Sequence, residues 1–283
     1  MVIAEEIKLS NDFIKFNIGG HEFLAVESQR LSECIEYYRT NNFYGLSVNR
    51  YHGYSDDNLD FLSEVKGLKG LVVGEDIEDL ELVNTLESLE YLTIDKSKKA
   101  IDFKKLSSLR TFKGKWSAKL ASIAESTSIE NLSLWSFKSK SKDLADLSEL
   151  NQLTHLSLVS SGIEKLDGLE KLTNLTSLSL HYLSKLSDIS SISKLSDNLN
   201  VIEFENCKKV ESYEPLSGCL SLKSISIEKS ASIDSLGFAT GLEGLTSIYW
   251  VGTKLNCEPS PVIDSPTVEK VIGTNGRFIK GSN

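Results

Sequence analysis

The sequence predicts a solenoid of short stacked repeats, with a parallel β-sheet along one side. Three observations carry that reading. The phrase L-x-x-L-x-L at Leu153, Leu156 and Leu158 returns 22 residues later at Leu175, Leu178 and Leu180. The same phrase recurs along the chain. Aligned on its second apolar position it gives Leu46, Leu71, Leu92, Phe112, Leu132, Leu156, Leu178, Ile202, Ile225, Ile248 and Val271, in steps of 20 to 25 residues. Fixed-period self-similarity of this kind marks an array of stacked coils. Finally, the segments between phrases are apolar at every third position: Ile163, Leu166, Leu169 and Leu172 match Leu186, Ile189, Ile192 and Leu195. That spacing suits a 3₁₀-like or extended return rather than a long helix.

Within each phrase, period-2 alternation buries the last two apolar residues and turns the residues around them outward. A strand this short cannot cover its own apolar face, so a coil on each side must do so.

Taken in order, residues 1–42 fall outside the repeat. Two alternating runs, 13–18 and 21–26, flank Gly19-Gly20, which is a tight-hairpin signal. Residues 31–38 (LSECIEYY) suit a short helix or a further strand. This segment is expected to be an N-terminal cap that hides the first apolar face. Residues 43–255 hold the repeats. Residues 256–283 contain Pro259, Pro261 and Pro266 and a last strand-like run, and are expected to form the C-terminal cap.

Recurrence at 20–29 residues resembles the leucine-rich repeat family over residues 43 to about 275, and the short repeats resemble internalin-like bacterial members. The resemblance implies a capped horseshoe, with strands on its concave face and 3₁₀ or extended segments on its convex face. It also implies Asn or Cys at the ninth phrase position. Here that position reads Asp76, Ser97, Ser117, Ser161, Cys207, Ser230 and Thr253, small polar groups able to bond neighbouring turns. Phe137 and Leu183 occupy the same slot as inward fillers.

Composition bounds the function. Net charge is −9 with 31 basic and 40 acidic residues, which argues against a nucleic-acid partner and suits a basic protein. No apolar run is long enough to span a membrane. The first residues, MVIAEEIKLSND, are acidic where a signal peptide is basic, so a cytoplasmic location is expected. Cys34, Cys207, Cys219 and Cys257 form no C-x-x-C pair and read as free thiols.

Chemistry-bearing motifs are missing: there is no phosphate-binding glycine loop, H-E-x-x-H or G-x-S-x-G. Some longer-repeat relatives in the resembling family activate GTPases with an arginine or its equivalent; Arg30, Arg39, Arg50, Arg110 and Arg277 form no strand-face cluster. His155 and His181 invite a metal reading. They sit at phrase positions three and seven, roughly 13 Å apart along the strand direction, which is too far to share a zinc ion. No enzyme activity, cofactor or metal is therefore expected.

The expected function is protein binding through the outward positions three, five and seven. Serines at position five (Ser47, Ser133, Ser157, Ser179, Ser226) keep the floor low. Larger groups rise from it: Tyr91, Asp95, Lys113, Lys115, Trp116, Trp135, His155, His181, Tyr182, Glu203, Glu205, Glu228 and Tyr249. Trp135 reads as an aromatic anchor, unless the insert 138–143 (KSKSKD) covers it. Trp250 falls at an inward position and reads as core. Three glutamates on neighbouring strands repel one another unless a cation or basic partner is near. Small leucine-rich repeat proteins of this kind also resemble the immunity proteins of bacterial polymorphic toxin systems. That resemblance implies a protein that binds and neutralises a cognate toxin, often a nuclease with a basic surface; a monomer is expected when the chain is free. The rival reading is a general scaffold or the regulatory subunit of an enzyme.

Overall fold

The computed structural model describes residues 6–9, 11–195 and 197–281. Part of the acidic start on which the signal-peptide reading rests lies outside them. The chain divides into two compact units, 1–129 and 130–283.

The first unit opens with three strands, β1 (Glu6–Lys8), β2 (Ile14–Ile18) and β3 (His21–Ala25), paired antiparallel in sequence order. Gly19 and Gly20 make the β2–β3 turn, with φ of 62° and 84°. Both values lie in the left-handed region that glycine enters without penalty. Residues 31–38 resolve to helix rather than strand, within α1 (Leu31–Thr40). From β3 onward the direction is fixed: β4 (Gly45–Val48), β5 (Gly70–Val73), β6 (Tyr91–Ile94) and β7 (Thr111–Lys115) follow in parallel.

The second unit holds seven parallel strands: β8 (Asn131–Trp135), β9 (His155–Val159), β10 (Ser177–His181), β11 (Val201–Glu205), β12 (Ser224–Glu228), β13 (Ser247–Tyr249) and β14 (Lys270–Ile272). A last strand, β15 (Phe278–Lys280), returns antiparallel to β14. This unit also contains α2 (Ser260–Ile263).

The strand register is the one the apolar alignment predicts. Leu46 pairs with Leu71, Leu71 with Leu92 and Leu92 with Phe112. In the second unit Leu132, Leu156, Leu178, Ile202, Ile225, Ile248 and Val271 form one continuous row. The row in the first unit starts one coil earlier than the sequence alignment, because Leu24 of the hairpin pairs with Leu46.

These residues are sealed, and so are the every-third-position residues of the return segments. The returns are 3₁₀ turns such as Leu169–Lys171 and Ser190–Lys194. Trp250, Phe137 and Leu183 are core, as their phrase positions require.

The ninth-position ladder forms in the second unit. Ser161 Oγ accepts from the Phe137 amide, Ser230 Oγ from the Cys207 amide and Thr253 Oγ1 from the Ser230 amide, at 3.0–3.1 Å. The hydroxyls thus tie successive coils where asparagine would in the resembling family. In the first unit Asp76 is exposed, and Ser97 bonds its own turn through the Lys99 carbonyl.

One feature of each second-unit coil has no counterpart in the leucine pattern. The residue just after the strand phrase is left-handed: Ser136, Ser160, Tyr182, Asn206 and Lys229 have φ between 48° and 58°. Each amide donates to the position-seven carbonyl of the following coil; Tyr182 N to Glu205 O, at 2.7 Å, is one example.

Candidate strand-face interaction site

The first unit places Asp95 and Lys113 half-buried and Lys115 exposed on its strand face, with Trp116 half-buried just beyond. Tyr91 departs from expectation. It is only 7% exposed, so it is withdrawn from any docking surface. The cause lies three coils earlier. Gly45 and Gly70 have no side chains at phrase position three, and Phe23 lies across both. A Cβ on Gly45 would stand 2.6 Å from Phe23 Cε1 and 2.2 Å from the Gly70 carbonyl oxygen. The Phe23 ring, fully buried, reaches Tyr91 at 5.5 Å and Tyr44 at 5.7 Å between centroids. His21 stacks on Tyr44 at 3.9 Å, and Lys113 Nζ covers Tyr91 at 5.6 Å. The aromatic ring read as a binding residue is part of a packed cluster.

The second unit carries the other candidates. Position-five serines lie half-buried, with Trp135, Val159, His181, Glu205 and Glu228 in one position-seven row. The outward alternation of β8–β12 places them there. Trp135 is half-buried and stands two strands from His181, with Val159 between. His155 lies at the opposite end of its strand, exposed, with Nδ1 2.8 Å from Thr154 Oγ1. In the ladder His155 pairs with Ser177, whereas His181 pairs with Val159. Tyr249 is opposite Ser226, and Lys270 Nζ lies 5.7 Å from its ring centroid.

His181, Tyr182, Glu203 and Glu205 form the one tight cluster among the candidates on this face. His181 Nδ1 lies 3.0 Å from Glu205 Oε2, and its Nε2 is 3.9 Å from Glu203 Oε2. Tyr182 is half exposed, and its hydroxyl donates to Glu205 Oε1 at 3.1 Å. The left-handed backbone at Tyr182 brings its ring onto this side. Burial works to raise the pKa of Glu205; the His181 and Tyr182 bonds and the charge of Lys229 more than offset it, and the value is lowered. The same carboxylate pushes the Tyr182 phenol upward.

Glu203 accepts from Ser179 Oγ at 2.8 Å, and Glu228 from Ser226 Oγ at 3.0 Å. The three carboxylates were expected to depend on an outside cation. Neighbouring hydroxyls and His181 meet part of that need, so Ser179 and Ser226 orient carboxylates as well as keeping the floor low. The signal was available: each serine sits on the same strand face as a glutamate, at paired or i,i+2 positions.

Among the described residues, no group of three or more His, Cys, Asp or Glu side chains is placed to hold a metal ion. No helix among them is long and apolar enough to cross a membrane.

No family model matches the chain. No curated protein matches it in sequence. Solved structures do resemble it. An internalin, InlF of Listeria monocytogenes, superposes with a TM-score of 0.63 at 18% identity, over 88% of this chain and 71% of that one. The functional domain of InlJ from Listeria monocytogenes, which includes a cysteine ladder, superposes with a TM-score of 0.55 at 16% identity. That match covers 83% of this chain and 58% of the other. The chain therefore has the leucine-rich repeat fold, an open and mostly parallel sheet backed by 3₁₀ turns.

Proposed function

We propose that this chain is a protein-binding leucine-rich repeat module, and that its partner docks on the strand face of residues 130–283. The carrying observation is the row of carboxylates at Glu203, Glu205 and Glu228. They are half-exposed, aligned by strand register and oriented by Ser179, His181, Tyr182 and Ser226. Oriented acids on a floor of serines favour a basic partner, because the cost of fixing them is already met. Trp135 supplies an aromatic anchor further along the same row, two strands from His181. Asp95, Lys113, Lys115 and Trp116 are the candidates that the first unit contributes.

The partner we infer is a basic toxin domain, of which a nuclease is the model case, with this chain as its immunity protein. In this reading the chain is a cytoplasmic monomer with no catalytic role, and it binds neither nucleic acid nor membrane. The net charge of −9 supports it.

Co-expression with the product of the adjacent upstream gene is the test. Rescue of growth, lost in Trp135→Ala and in Glu203→Lys/Glu205→Lys, is the expected result. Trp135→Ala should speed dissociation and weaken binding by about 2 kcal/mol or more. The glutamate reversals should slow association and reduce its salt dependence. Glu243→Lys, exposed in a turn away from the strand face, should change neither. Binding without rescue would favour the scaffold reading. Normal binding by the strand-face variants would place the partner elsewhere and overturn the proposal.

A further inference from the structure

A second site lies at the C-terminal end of the chain, beyond β13. Trp250, Leu255, Pro259, Gly273, Thr274, Asn275, Arg277 and Ile279 enclose an open cavity of about 350 Å³. The β14–β15 turn forms one wall and the 255–259 segment the other.

The Trp250 side chain is 1% exposed as a whole, and its indole Nε1–H, which opens onto this cavity, has no hydrogen-bond partner among the described residues. The nitrogen points toward Gly273: a Cβ there would stand 3.6 Å from Nε1. An indole N–H that opens onto a cavity can donate to whatever fills it. Gly273 is not in the left-handed region, so its backbone conformation does not demand glycine. The space does, since a Cβ would stand 2.5 Å from Ile279 Cδ1.

The polar groups around this space are unbalanced. Several nearby acceptors are engaged. The Gly273 carbonyl takes the Gly276 amide, the Thr274 carbonyl takes the Gly252 amide, and the Trp250 carbonyl takes the Thr253 amide. Asn275 Oδ1 takes the Arg277 amide at 3.0 Å. The donors remain. The Arg277 guanidinium, on an exposed residue, makes no hydrogen bond or ion pair among the described residues, and neither does the Asn275 side-chain amide nitrogen.

We propose that this cavity binds a small apolar carboxylate. The apolar body would lie against Leu255, Pro259 and Ile279, and the carboxylate oxygens would accept from Trp250 Nε1–H and the Arg277 guanidinium. A carboxylate fits better than a neutral carbonyl because guanidinium pairs with it in two parallel bonds. The ligand is either a free branched-chain acid or the C-terminal residue of a peptide, which present the same chemistry.

The test uses the full-length protein labelled with ¹⁵N and titrated with 4-methylpentanoate, watching the three indole resonances. Trp250→Phe identifies the peak. The expected result is a saturable downfield shift of the Trp250 Nε1–H with a millimolar dissociation constant, the range a fragment of this size can reach. Arg277→Gln, which alters no contact within the fold, should weaken binding about tenfold. Uncharged 4-methylpentanamide should bind about tenfold more weakly than the acid. A leucine-terminated tetrapeptide that binds more tightly than the free acid, and loses that binding when amidated, would identify a chain terminus as the source. Equal affinities would identify the free acid. No saturable shift at Trp250, or a shift unchanged by Arg277→Gln, overturns the proposal.

Discussion

His181 and Glu205 stand on adjacent strands with Nδ1 and Oε2 at 3.0 Å, and the same carboxylate takes the Tyr182 hydroxyl. The pair makes one testable link between face chemistry and stability. The pKa of Glu205 is lowered on folding, below an ordinary value of 4.5. A lowered carboxyl stabilises the fold above the unfolded-state pKa and loses that contribution as pH falls through the folded value. Glu205→Gln should therefore cost about 0.5 kcal/mol at pH 7, a small figure because solvent screens the pair. The cost should vanish in acid, below the folded value. Urea unfolding of both proteins across that window measures it. A deficit that persists undiminished in acid would mean that Glu205 acts by packing.

Leu178 tests the core. It is fully buried between Leu156 and Ile202 in the parallel ladder. Leu178→Ala should cost about 2–5 kcal/mol by loss of transfer energy and creation of a cavity. Denaturant unfolding followed by circular dichroism gives the number. A loss below about 0.5 kcal/mol is what an exposed leucine shows, and would contradict the register.

Gly45 tests the aromatic cluster. An added methyl would meet the Gly70 carbonyl oxygen at 2.2 Å, a backbone atom that cannot rotate away. Gly45→Ala should destabilise by roughly 2–3 kcal/mol, in the range of overpacked cores. It should also change the near-ultraviolet dichroism of Phe23, Tyr44 and Tyr91. Gly241→Ala, where a Cβ meets nothing within 4 Å, should stay within about 0.5 kcal/mol of the parent.

The thiols should separate cleanly. Cys34, Cys207 and Cys219 are buried, and burial raises all three pKa values, Cys207 to about 11 and Cys219 to about 12. Their sulfurs are protonated and inaccessible at neutral pH, and a thiol is nucleophilic only as thiolate. Cys257 is partly exposed. A maleimide should modify one site in the native protein and four after unfolding. Fast modification at Cys207 in the native state would show that the ladder opens locally.

The coil register was legible because apolar residues repeat, and burial of an apolar face is the strongest constraint on a short strand. The 3₁₀ returns were legible for the same reason. Two features were not. The left-handed column at Ser136, Ser160, Tyr182, Asn206 and Lys229 gives no glycine signal; only Gly252 continues it with the expected residue. Nor could spacing reveal that Phe23, at the same phrase position as Tyr91, would cross two glycines and bury it. Phrase position says which way a side chain leaves the sheet. Whether it is then covered depends on neighbours two and three coils away. That also explains why outward positions were readable while their occupancy of a usable surface was not.

Within each unit the strand row keeps its register although coil lengths along the chain range from 20 to 25 residues. All of the length variation is therefore spent outside the strands. Spelling changes on the return side, including insertions such as 138–143, leave the row of side chains on the sheet undisturbed. The chain is in effect two texts read in alternation. One can be edited freely by insertion and deletion, and the other is written one letter per coil at fixed pitch. Excising a whole coil, from His155 to the residue before Ser177, would rejoin β8 to β10 in register and bring Trp135 next to His181. A family of shortened or lengthened faces could be made from this gene without redesigning a single contact in the ladder.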